Sequence, residues 1–407
     1  MGLVKAVRCP RCEAPAAGDN AGVCSHCGTV VDLVMDLTSV PSLAEIRRRA
    51  ERSIWKWREL LPIQEPAAIV SLGEGYTPLI EARRLGERLG IPRLYVKNDG
   101  LLPTGSLKDR VNALAVSRGR EMKVPLVATP STGNAAASLA AYAAAGGLAC
   151  IVLVPEGTAP AKVAQARICG ARVVAVRGAF DTVAALARQA IERFGWYSAL
   201  SDNPWRNAGH KSYGYEVLDQ LGEVPDWMIH PEASGGAVAG TWKAFGEMQE
   251  LGWVRRKPRM VAAQAEAAAP LVRAWEKGLT DVEPVTPGPT VAEAIKVGQS
   301  RLGWQCLAAL RDAGGTAVAV ADDEILEAQR LLAALEGVFA EPAGAVSIAA
   351  ARRLSQSGAI GPKESVVAVV TGHGLKQLVE HRLSEIPTIE PTLEALEQAI
   401  KGGAPCP

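Results

Sequence analysis

Residues 103–110 read Pro-Thr-Gly-Ser-Leu-Lys-Asp-Arg, a polar turn followed at once by residues that favour a helix. Ser106 is expected to cap that helix, and Asp109 three residues later to complete a capping-box-like pair. Lys108 would then lie in the first helical turn, where the positive end of the helix dipole disfavours an ammonium and lowers the lysine pKa. A lowered pKa prepares an amine for Schiff-base chemistry with an aldehyde, although a lysine taken at random is more often a solvated surface residue.

Two other turns each join an apolar run to a helical run and leave backbone N–H groups free at the start of the helix. The first, at residues 129–134, reads Thr-Pro-Ser-Thr-Gly-Asn and precedes an alanine-rich run that extends to about residue 145. The second, at residues 231–237, reads Pro-Glu-Ala-Ser-Gly-Gly-Ala and follows the strand-like residues 227–230. Such N–H groups suit a carboxylate or a phosphate, but each turn alone would also fit an ordinary strand-to-helix connection.

Short apolar runs alternate with longer helical patterns from residue 71 onward. This alternation predicts an α/β fold with parallel sheets covered by helices. The strand-like runs are residues 94–96, 149–154, 172–176, 260–263, 317–320 and 366–370. The last run leads into Thr371, and the carboxyl end of a parallel strand is where α/β sheets place ligand-binding residues.

Four cysteines near the amino terminus form two Cys-x-x-Cys pairs, Cys9 with Cys12 and Cys24 with Cys27. The spacing predicts a structural zinc ribbon in which four thiolates complete the tetrahedron and leave no open position for catalysis. Four unliganded cysteines are the alternative. A linker at residues 31–43 and one charged helical stretch at residues 44–61 are expected to follow, with the tryptophans of that stretch packed on the main domain.

A zinc ribbon can also bind nucleic acid, so a non-catalytic regulatory protein is a competing hypothesis. The formal net charge of +1, and the lack of a basic tract with interleaved aromatic residues, argue against a nucleic-acid partner. No basic-then-apolar leader opens the sequence, and no uncharged apolar run is long enough to span a bilayer. A cytoplasmic location without a membrane partner is therefore expected.

The lysine turn, the turn ending in Asn134, the small-residue turn and Thr371 occur together and in this order in one family. The chain resembles the fold type II pyridoxal-phosphate enzymes and, within them, the threonine synthase family, many of whose members carry a similar ribbon. Residues 73–79, 203–206 and 337–343 extend the resemblance. It implies two parallel-sheet α/β domains beside the ribbon, and a homodimer.

The resemblance also implies domain boundaries. The ribbon would take residues 1–33. A large cofactor-binding domain would combine residues 34–105 with residues 204–395. A smaller mobile domain at residues 106–203 would close against it and exclude water from the reacting atoms.

Pyridoxal 5′-phosphate is the implied cofactor, and Lys108 is implied to bind it covalently and to act as the proton-transfer base. Asn134 would hold the cofactor ring hydroxyl, and Thr371 the pyridine nitrogen. The residues implied to bind the cofactor phosphate are Ala233, Ser234, Gly235, Gly236 and Ala237. Glu341 resembles a family element near the cofactor and is expected to have a packing role.

The implied substrate is an amino acid that carries a phosphate. Its carboxylate is implied to be bound by Ser131, Thr132 and Gly133. Its phosphate is implied to be bound by Ser201 and Arg206. The implied reaction converts O-phosphohomoserine to threonine and phosphate by γ-elimination and β-addition of water.

Several positions depart from the family pattern, among them Ala135, Ser234 and the acidic Glu232. Others are Asp99, Leu102 and Leu107, which precede the lysine. A diverged relative that performs β-elimination or β-replacement on O-phosphoserine, serine or threonine is the alternative.

Overall fold

The structure is a computed structural model that describes residues 2–16, 22–379, 386 and 388–402. Its strands are β1 (Leu3–Arg8), β2 (Asp32–Asp36), β3 (Leu79–Glu81), β4 (Arg93–Asn98), β5 (Leu126–Pro130), β6 (Ala149–Pro155), β7 (Arg172–Val176), β8 (Tyr197–Ser198), β9 (Trp227–Pro231), β10 (Arg259–Ala265), β11 (Thr316–Val320) and β12 (Ser365–Val370). Its helices are α1 (Leu43–Arg47), α2 (Arg83–Leu89), α3 (Lys108–Glu121), α4 (Asn134–Gly146), α5 (Pro160–Ile168), α6 (Phe180–Phe194), α7 (Pro204–Asn207), α8 (Ser212–Leu221), α9 (Gly236–Glu250), α10 (Pro270–Glu276), α11 (Gly303–Asp312), α12 (Asp322–Glu336), α13 (Pro342–Gln356) and α14 (Leu393–Gly402).

Six strands form the larger sheet, in the order β11-β10-β9-β12-β4-β3. All neighbours run parallel except β3, which is antiparallel to β4 at the edge. Every residue of the central strands β9 and β12 is buried, as expected for parallel strands covered on both faces. Helices α2, α12 and α13 pack on one face, and α8 to α11 pack on the other.

A second sheet has four parallel strands in the order β7-β6-β5-β8. Helices α3 and α4 contribute to its core through side chains such as Leu114 and Leu139. The predicted α/β class is confirmed, and each strand-like run of the sequence lies in a strand. The four strands fall within residues 106–203, but the division into a fixed and a mobile domain stays a prediction.

The amino-terminal segment forms a two-stranded antiparallel sheet of β1 and β2. Strand β2 crosses the expected ribbon boundary at residue 33 and lies inside the expected linker at residues 31–43, so the linker prediction is wrong. Leu33 and Met35 are buried, while Asp32, Val34 and Asp36 are partly exposed, because alternate side chains of a strand point to opposite faces. Five residues carry too little alternation to distinguish this strand from a linker by sequence alone.

The single helix expected at residues 44–61 is also wrong. Helix α1 ends at Arg47, and a separate 3-10 helix, Ile54–Leu60, begins after Ser53, whose side chain accepts a hydrogen bond from the Trp55 N–H at 3.2 Å. Trp55 and Trp57 are nevertheless buried, as expected, in two different core clusters. Within the part of the chain that the structure describes, no helix combines the length and apolarity needed to cross a membrane.

Candidate active site

The predicted residues meet at the carboxyl end of the larger sheet. Lys108 opens α3, and the Leu107 N–H before it donates to the Thr371 carbonyl at 2.8 Å. Asn134 opens α4 and reaches Glu341, the residue before α13. Glu341 and the turn before α9 both bring carboxylates close enough to act on the charge of Lys108. The four turns singled out in the sequence therefore surround one site.

Lys108 lies in the first turn of α3, as predicted. Burial, and then the positive Arg206 guanidinium, lower the pKa of Lys108 to about 8. The carboxylates of Glu232 and Glu341 oppose this shift without cancelling it. The direction agrees with the prediction, but desolvation and a neighbouring cation are the leading causes. A substantial neutral fraction of this amine is therefore present near neutral pH.

The predicted capping box at the start of α3 is wrong. Leu107 occupies the cap position, already in a helical conformation, so Ser106 lies one residue too early to cap. The buried Ser106 hydroxyl finds no hydrogen-bond partner among the described residues. Asp109 instead accepts from the N–H and the hydroxyl of Thr104, at 2.7 and 2.5 Å. These bonds tie the turn to the first turn of the helix.

Asn134 is held by a carboxylate that the sequence reading assigned to packing. Its Nδ2 donates to both carboxylate oxygens of Glu341, at 3.2 and 3.0 Å. Glu341 is buried, and burial raises the pKa of this carboxyl although Asn134, Lys376 and Lys108 lower it. The packing role expected for Glu341 is therefore corrected to a polar contact within the site. The available signal was a glutamate directly before a helix-starting proline.

The turn between β9 and α9 is a tight nest of small residues. Gly235 has φ +89°, and a Cβ there would lie 2.7 Å from the Leu302 carbonyl oxygen and 2.8 Å from Cys306 Cβ. The Ala233 carbonyl accepts from the Ser300 hydroxyl, and the Ser234 carbonyl from the Leu302 N–H, both at 2.8 Å. The other residues predicted for this turn, Gly236 and Ala237, begin α9. Only glycine fits the central position without strain.

Glu232 occupies this nest with its own carboxylate. Its oxygens accept from the Gly235 N–H at 2.9 Å and from the Val238 N–H at 2.6 Å. Burial raises the pKa of Glu232 to about 7, although those N–H groups and Lys108 lower it. The donors predicted to hold a phosphate thus already hold an anion.

Arg206 is a buried cation with unused hydrogen-bonding capacity. Asn203 caps α7 by accepting from the Arg206 N–H at 3.2 Å, which positions the side chain. Its Nη1 donates to Asn207 Oδ1 at 3.3 Å, while its buried Nε has no partner in the described part of the chain. Burial lowers the pKa of Arg206 to about 10. A buried guanidinium with an unpaired N–H is suited to receive an anion.

The remaining substrate candidates line the two turns near these groups. The Ser131 hydroxyl accepts from the Gly133 N–H at 3.3 Å, and the Ser131 N–H donates to the Leu153 carbonyl at 3.2 Å. Ser131 and Thr132 are partly exposed, and Gly133 is exposed. Ser201 is partly exposed, and its carbonyl accepts from Asn207 Nδ2 at 2.7 Å. Their roles stay predictions.

Thr371 ends the central strand β12 with a polar group. Its buried hydroxyl lies beside the Glu341 carboxylate but makes no hydrogen bond of good geometry to any described residue. His373, two residues on, donates its N–H to the Gly105 carbonyl at 2.9 Å, and its Nδ1 accepts from the Leu375 N–H at 3.1 Å. These bonds agree with the local structural role expected of the histidine, and they leave Thr371 as the polar group at the strand end.

His210 was missed by the sequence reading. It lies in the 3-10 helix Ala208–Lys211, and its Nε2 would be 3.2 Å from a Cβ on Gly236. Burial and the nearby cations Lys108 and Arg206 hold the pKa of His210 well below its usual range. Its Nδ1 is buried and lacks a partner within the described segments. No feature of the local sequence marked this neutral ring as part of the site.

The four amino-terminal cysteines lie together, apart from this site. Their sulfur atoms all fall within 4.8 Å of one another. The closest pair, Cys9 and Cys27, is 3.4 Å apart. Four thiol groups in so small a cluster match the donor set of a structural tetrahedral metal site.

Comparisons with known proteins agree with this fold. A family model described as a pyridoxal-phosphate dependent enzyme matches residues 70–372. The chain therefore belongs to the pyridoxal-phosphate-dependent enzymes. Threonine synthase from Methanocaldococcus jannaschii is 40% identical over 400 residues, covering 97% of this chain and 99% of the relative. Threonine synthase from Methanosarcina acetivorans is 40% identical over 404 residues, covering 98% and 99%. Within the enzyme class, the chain is a member of the threonine synthase family.

Solved structures agree on the architecture. Threonine deaminase isoform 2 from Solanum lycopersicum superposes with a TM-score of 0.64 at 23% identity, over 75% of this chain and 85% of that one. Maize serine racemase gives a TM-score of 0.63 at 21% identity, over 80% and 91%. Both support the predicted fold type II architecture.

The residues of the site fit pyridoxal 5′-phosphate. An amine with a lowered pKa, an unpartnered hydroxyl at a strand end and a nest of backbone N–H groups match the aldehyde, the pyridine nitrogen and the phosphate of that cofactor. Glu232 is the one group that opposes this fit, since it places a negative charge where a phosphate is expected.

Proposed function

We propose that the protein is a lyase that converts O-phosphohomoserine to threonine and phosphate, by γ-elimination followed by β-addition of water. The observation that carries this proposal is the buried, incompletely paired Arg206 beside Lys108, in a chain similar to threonine synthases along almost its whole length. A phosphorylated amino acid supplies the anion that such a cation lacks.

Lys108 is proposed to attach the cofactor and to move protons at the α- and β-carbons of the substrate. When bound, pyridoxal phosphate supplies the electron sink that makes those protons acidic. A lysine with a pKa of about 8 can both accept and return a proton near neutral pH, because the best general base titrates close to the working pH.

Thr371 and Asn134 are proposed to hold the cofactor ring at its nitrogen and its hydroxyl. A threonine hydroxyl is neutral, so it does not keep the pyridine protonated as a carboxylate would. The weaker electron sink favours elimination and replacement over transamination. Glu341 fixes the Asn134 amide through two hydrogen bonds and so keeps that group in one orientation.

Substrate recognition is proposed to involve both ends of the amino acid. Ser131, Thr132 and Gly133 would receive its carboxylate through the start of α4. Arg206 and Ser201 would receive its phosphate. The neutral His210 ring adds one more donor near the same region.

A diverged relative acting on O-phosphoserine, serine or threonine is the second candidate. It is favoured by Ala135, which offers no hydroxyl at the start of α4, and by the anionic Glu232 in the nest. A phosphate-release assay with O-phosphohomoserine and O-phosphoserine side by side, with products identified by mass, separates the two. Threonine and phosphate from the first substrate are expected. Phosphate released from O-phosphoserine alone would establish the second candidate.

Further proposals concern the rest of the molecule. The cysteine cluster is proposed to hold one structural zinc ion, since its four sulfur donors suit that metal. A homodimer in the cytoplasm, with residues 106–203 moving against residues 34–105 and 204–395, is the proposed working form.

A further inference from the structure

One carboxylate competes for the position that the cofactor phosphate needs. Glu232 lies directly after β9, and its side chain turns back to accept the N–H groups of Gly235 and Val238. Those groups belong to the start of α9, where the first N–H groups of a helix have no partner within the helix. Glu232 therefore supplies from within the chain the anion that this helix start would otherwise take from a ligand.

The nest has little room for two anions. On one side, a Cβ at Gly235 would contact Leu302 and Cys306; on the other, a Cβ at Gly236 would contact the His210 ring. Glu232 itself is only 3% exposed, so solvent does little to screen a second negative charge. Two anions sharing the same donors at low dielectric repel each other, and protonation of one of them removes this repulsion.

The titratable groups around Glu232 determine which residues could make cofactor binding depend on pH. Lys108 faces it from α3, Cys306 from α11, and His210 faces the adjoining Gly236 from the 3-10 helix. Burial raises the pKa of Cys306 well above its usual range and holds the pKa of His210 well below, so both are neutral between pH 6 and 9. His230, on β9, is likewise neutral because burial lowers its pKa to about 3. Lys108 is the remaining group that titrates in this range.

We propose that binding of the cofactor phosphate is coupled to protonation of Glu232. The phosphate takes the N–H groups of Gly235 and Val238, and the Glu232 carboxyl, having gained one proton from solvent, donates a hydrogen bond to a phosphate oxygen. This inference rests on the proposed role of residues 233–237 as the phosphate nest. It makes Glu232 a positioning residue that ties cofactor retention to pH, in the range where its carboxyl titrates.

The test uses the full chain stripped of cofactor and pyridoxine 5′-phosphate, whose alcohol cannot bond covalently to Lys108. Calorimetric titration at pH 8 in two buffers with different ionisation heats counts the protons taken up on binding. Wild type is expected to take up about one proton more than Glu232→Gln, because the amide cannot titrate. Between pH 7 and 8.5 the wild-type affinity should fall by about tenfold per pH unit relative to the variant. Ionisation of the ligand itself is common to both proteins and cancels, and making the same comparison in a Lys108→Ala background removes the titration of Lys108.

Equal proton uptake and parallel pH profiles would overturn the inference. Glu232→Ala provides a second comparison, with the same expectation as Glu232→Gln, should the glutamine reorganise the turn. Pyridoxine, which lacks the phosphate, is titrated at pH 6 to distinguish a failure of the Glu232 role from a failure of the proposed phosphate nest. If phosphate strengthens binding but the proteins do not differ, only the role of Glu232 fails. If the two ligands bind equally well to wild type and to both variants, the proposed phosphate nest fails as well.

Discussion

The Arg206 guanidinium and the Lys108 amine repel each other across the site, and this repulsion is part of what lowers the pKa of Lys108. A phosphate bound at Arg206 would neutralise that repulsion. The pKa of Lys108 would then rise, so the amine becomes a stronger base when substrate is in place. The effect is local to two residues, and it follows from their charges alone.

Replacing Arg206 with Gln should therefore have two results. The KM for a phosphorylated substrate should rise roughly 10- to 100-fold, because a charge-assisted hydrogen bond is lost. The pKa of Lys108 should rise, so the limb of the kcat profile that requires the neutral amine, and that reports the substrate complex, should move to higher pH. Steady-state rates with O-phosphohomoserine between pH 6 and 10 measure both results.

Arg330→Gln is the control, since Arg330 is an exposed arginine of α12 paired with Glu327. It should change neither the KM nor the pH profile. If Arg206→Gln weakened the binding of unphosphorylated threonine as much as that of the phosphorylated substrate, the phosphate-binding role of Arg206 would be wrong.

At the scale of elements, the sequence predicted strands well and connections poorly. Runs such as residues 366–370 are short, apolar and rich in valine, which favours a strand buried on both faces of a parallel sheet. The start of α3 was located correctly, but its cap was not. Ser106 had the right chemistry one position too early, and the outcome depended on Asp109 finding Thr104 instead.

The sequence likewise predicted some residues of the site and not others. Residues that carry reactive or hydroxyl groups on glycine-rich turns, such as Lys108 and Thr371, could be recognised from sequence. His210 and Glu341 could not be assigned, because their place in the site depends on contacts with elements distant in the chain. A buried titratable group reveals its partner only once the fold is known.

The turn before α9 provides a test at this scale. Gly235→Ala forces a Cβ into a left-handed conformation and against Leu302 and Cys306. The free energy of unfolding should fall by about 2 to 4 kcal/mol, and cofactor affinity should fall with it. Gly246→Ala, in the same helix, is the control, because the structure describes no atom within 4 Å of its Cβ position. It should be neutral or stabilising by up to about 1 kcal/mol. Denaturant unfolding and cofactor titration measure the contrast, and equal losses in the two variants would contradict it.

At the scale of the whole molecule, polar contacts hold the predicted ribbon, residues 1–33, against the larger-sheet domain. Arg11 pairs with Asp281 at 2.6 Å, and Gln305 donates to the Val30 carbonyl at 2.7 Å. Lys243 of α9 pairs with Asp32 of β2 at 2.5 Å. The ribbon thus rests on the helix whose first turn forms the nest.

Removal of zinc should therefore loosen the ribbon. The purified protein is expected to contain about one zinc per chain, and Cys12→Ser should lose it, because a structural site needs all four ligands. Elemental analysis and limited proteolysis within residues 2–36 measure the loss. Cys169→Ser removes a cysteine outside the cluster and should keep the metal. Zinc retained at full stoichiometry in Cys12→Ser would refute the four-thiolate site.

The strand order has a consequence for how the protein is made. Strand β12 is the last of the larger sheet to be synthesised, yet it lies in the middle, between β9 and β4. A ribosome that has delivered the first 360 residues has therefore produced two half-sheets with an unfilled gap between them. The strand that fills the gap also delivers Thr371. Premature termination anywhere before that point leaves a chain with neither a continuous sheet nor a complete site, so translation must pass Thr371 before any catalyst exists.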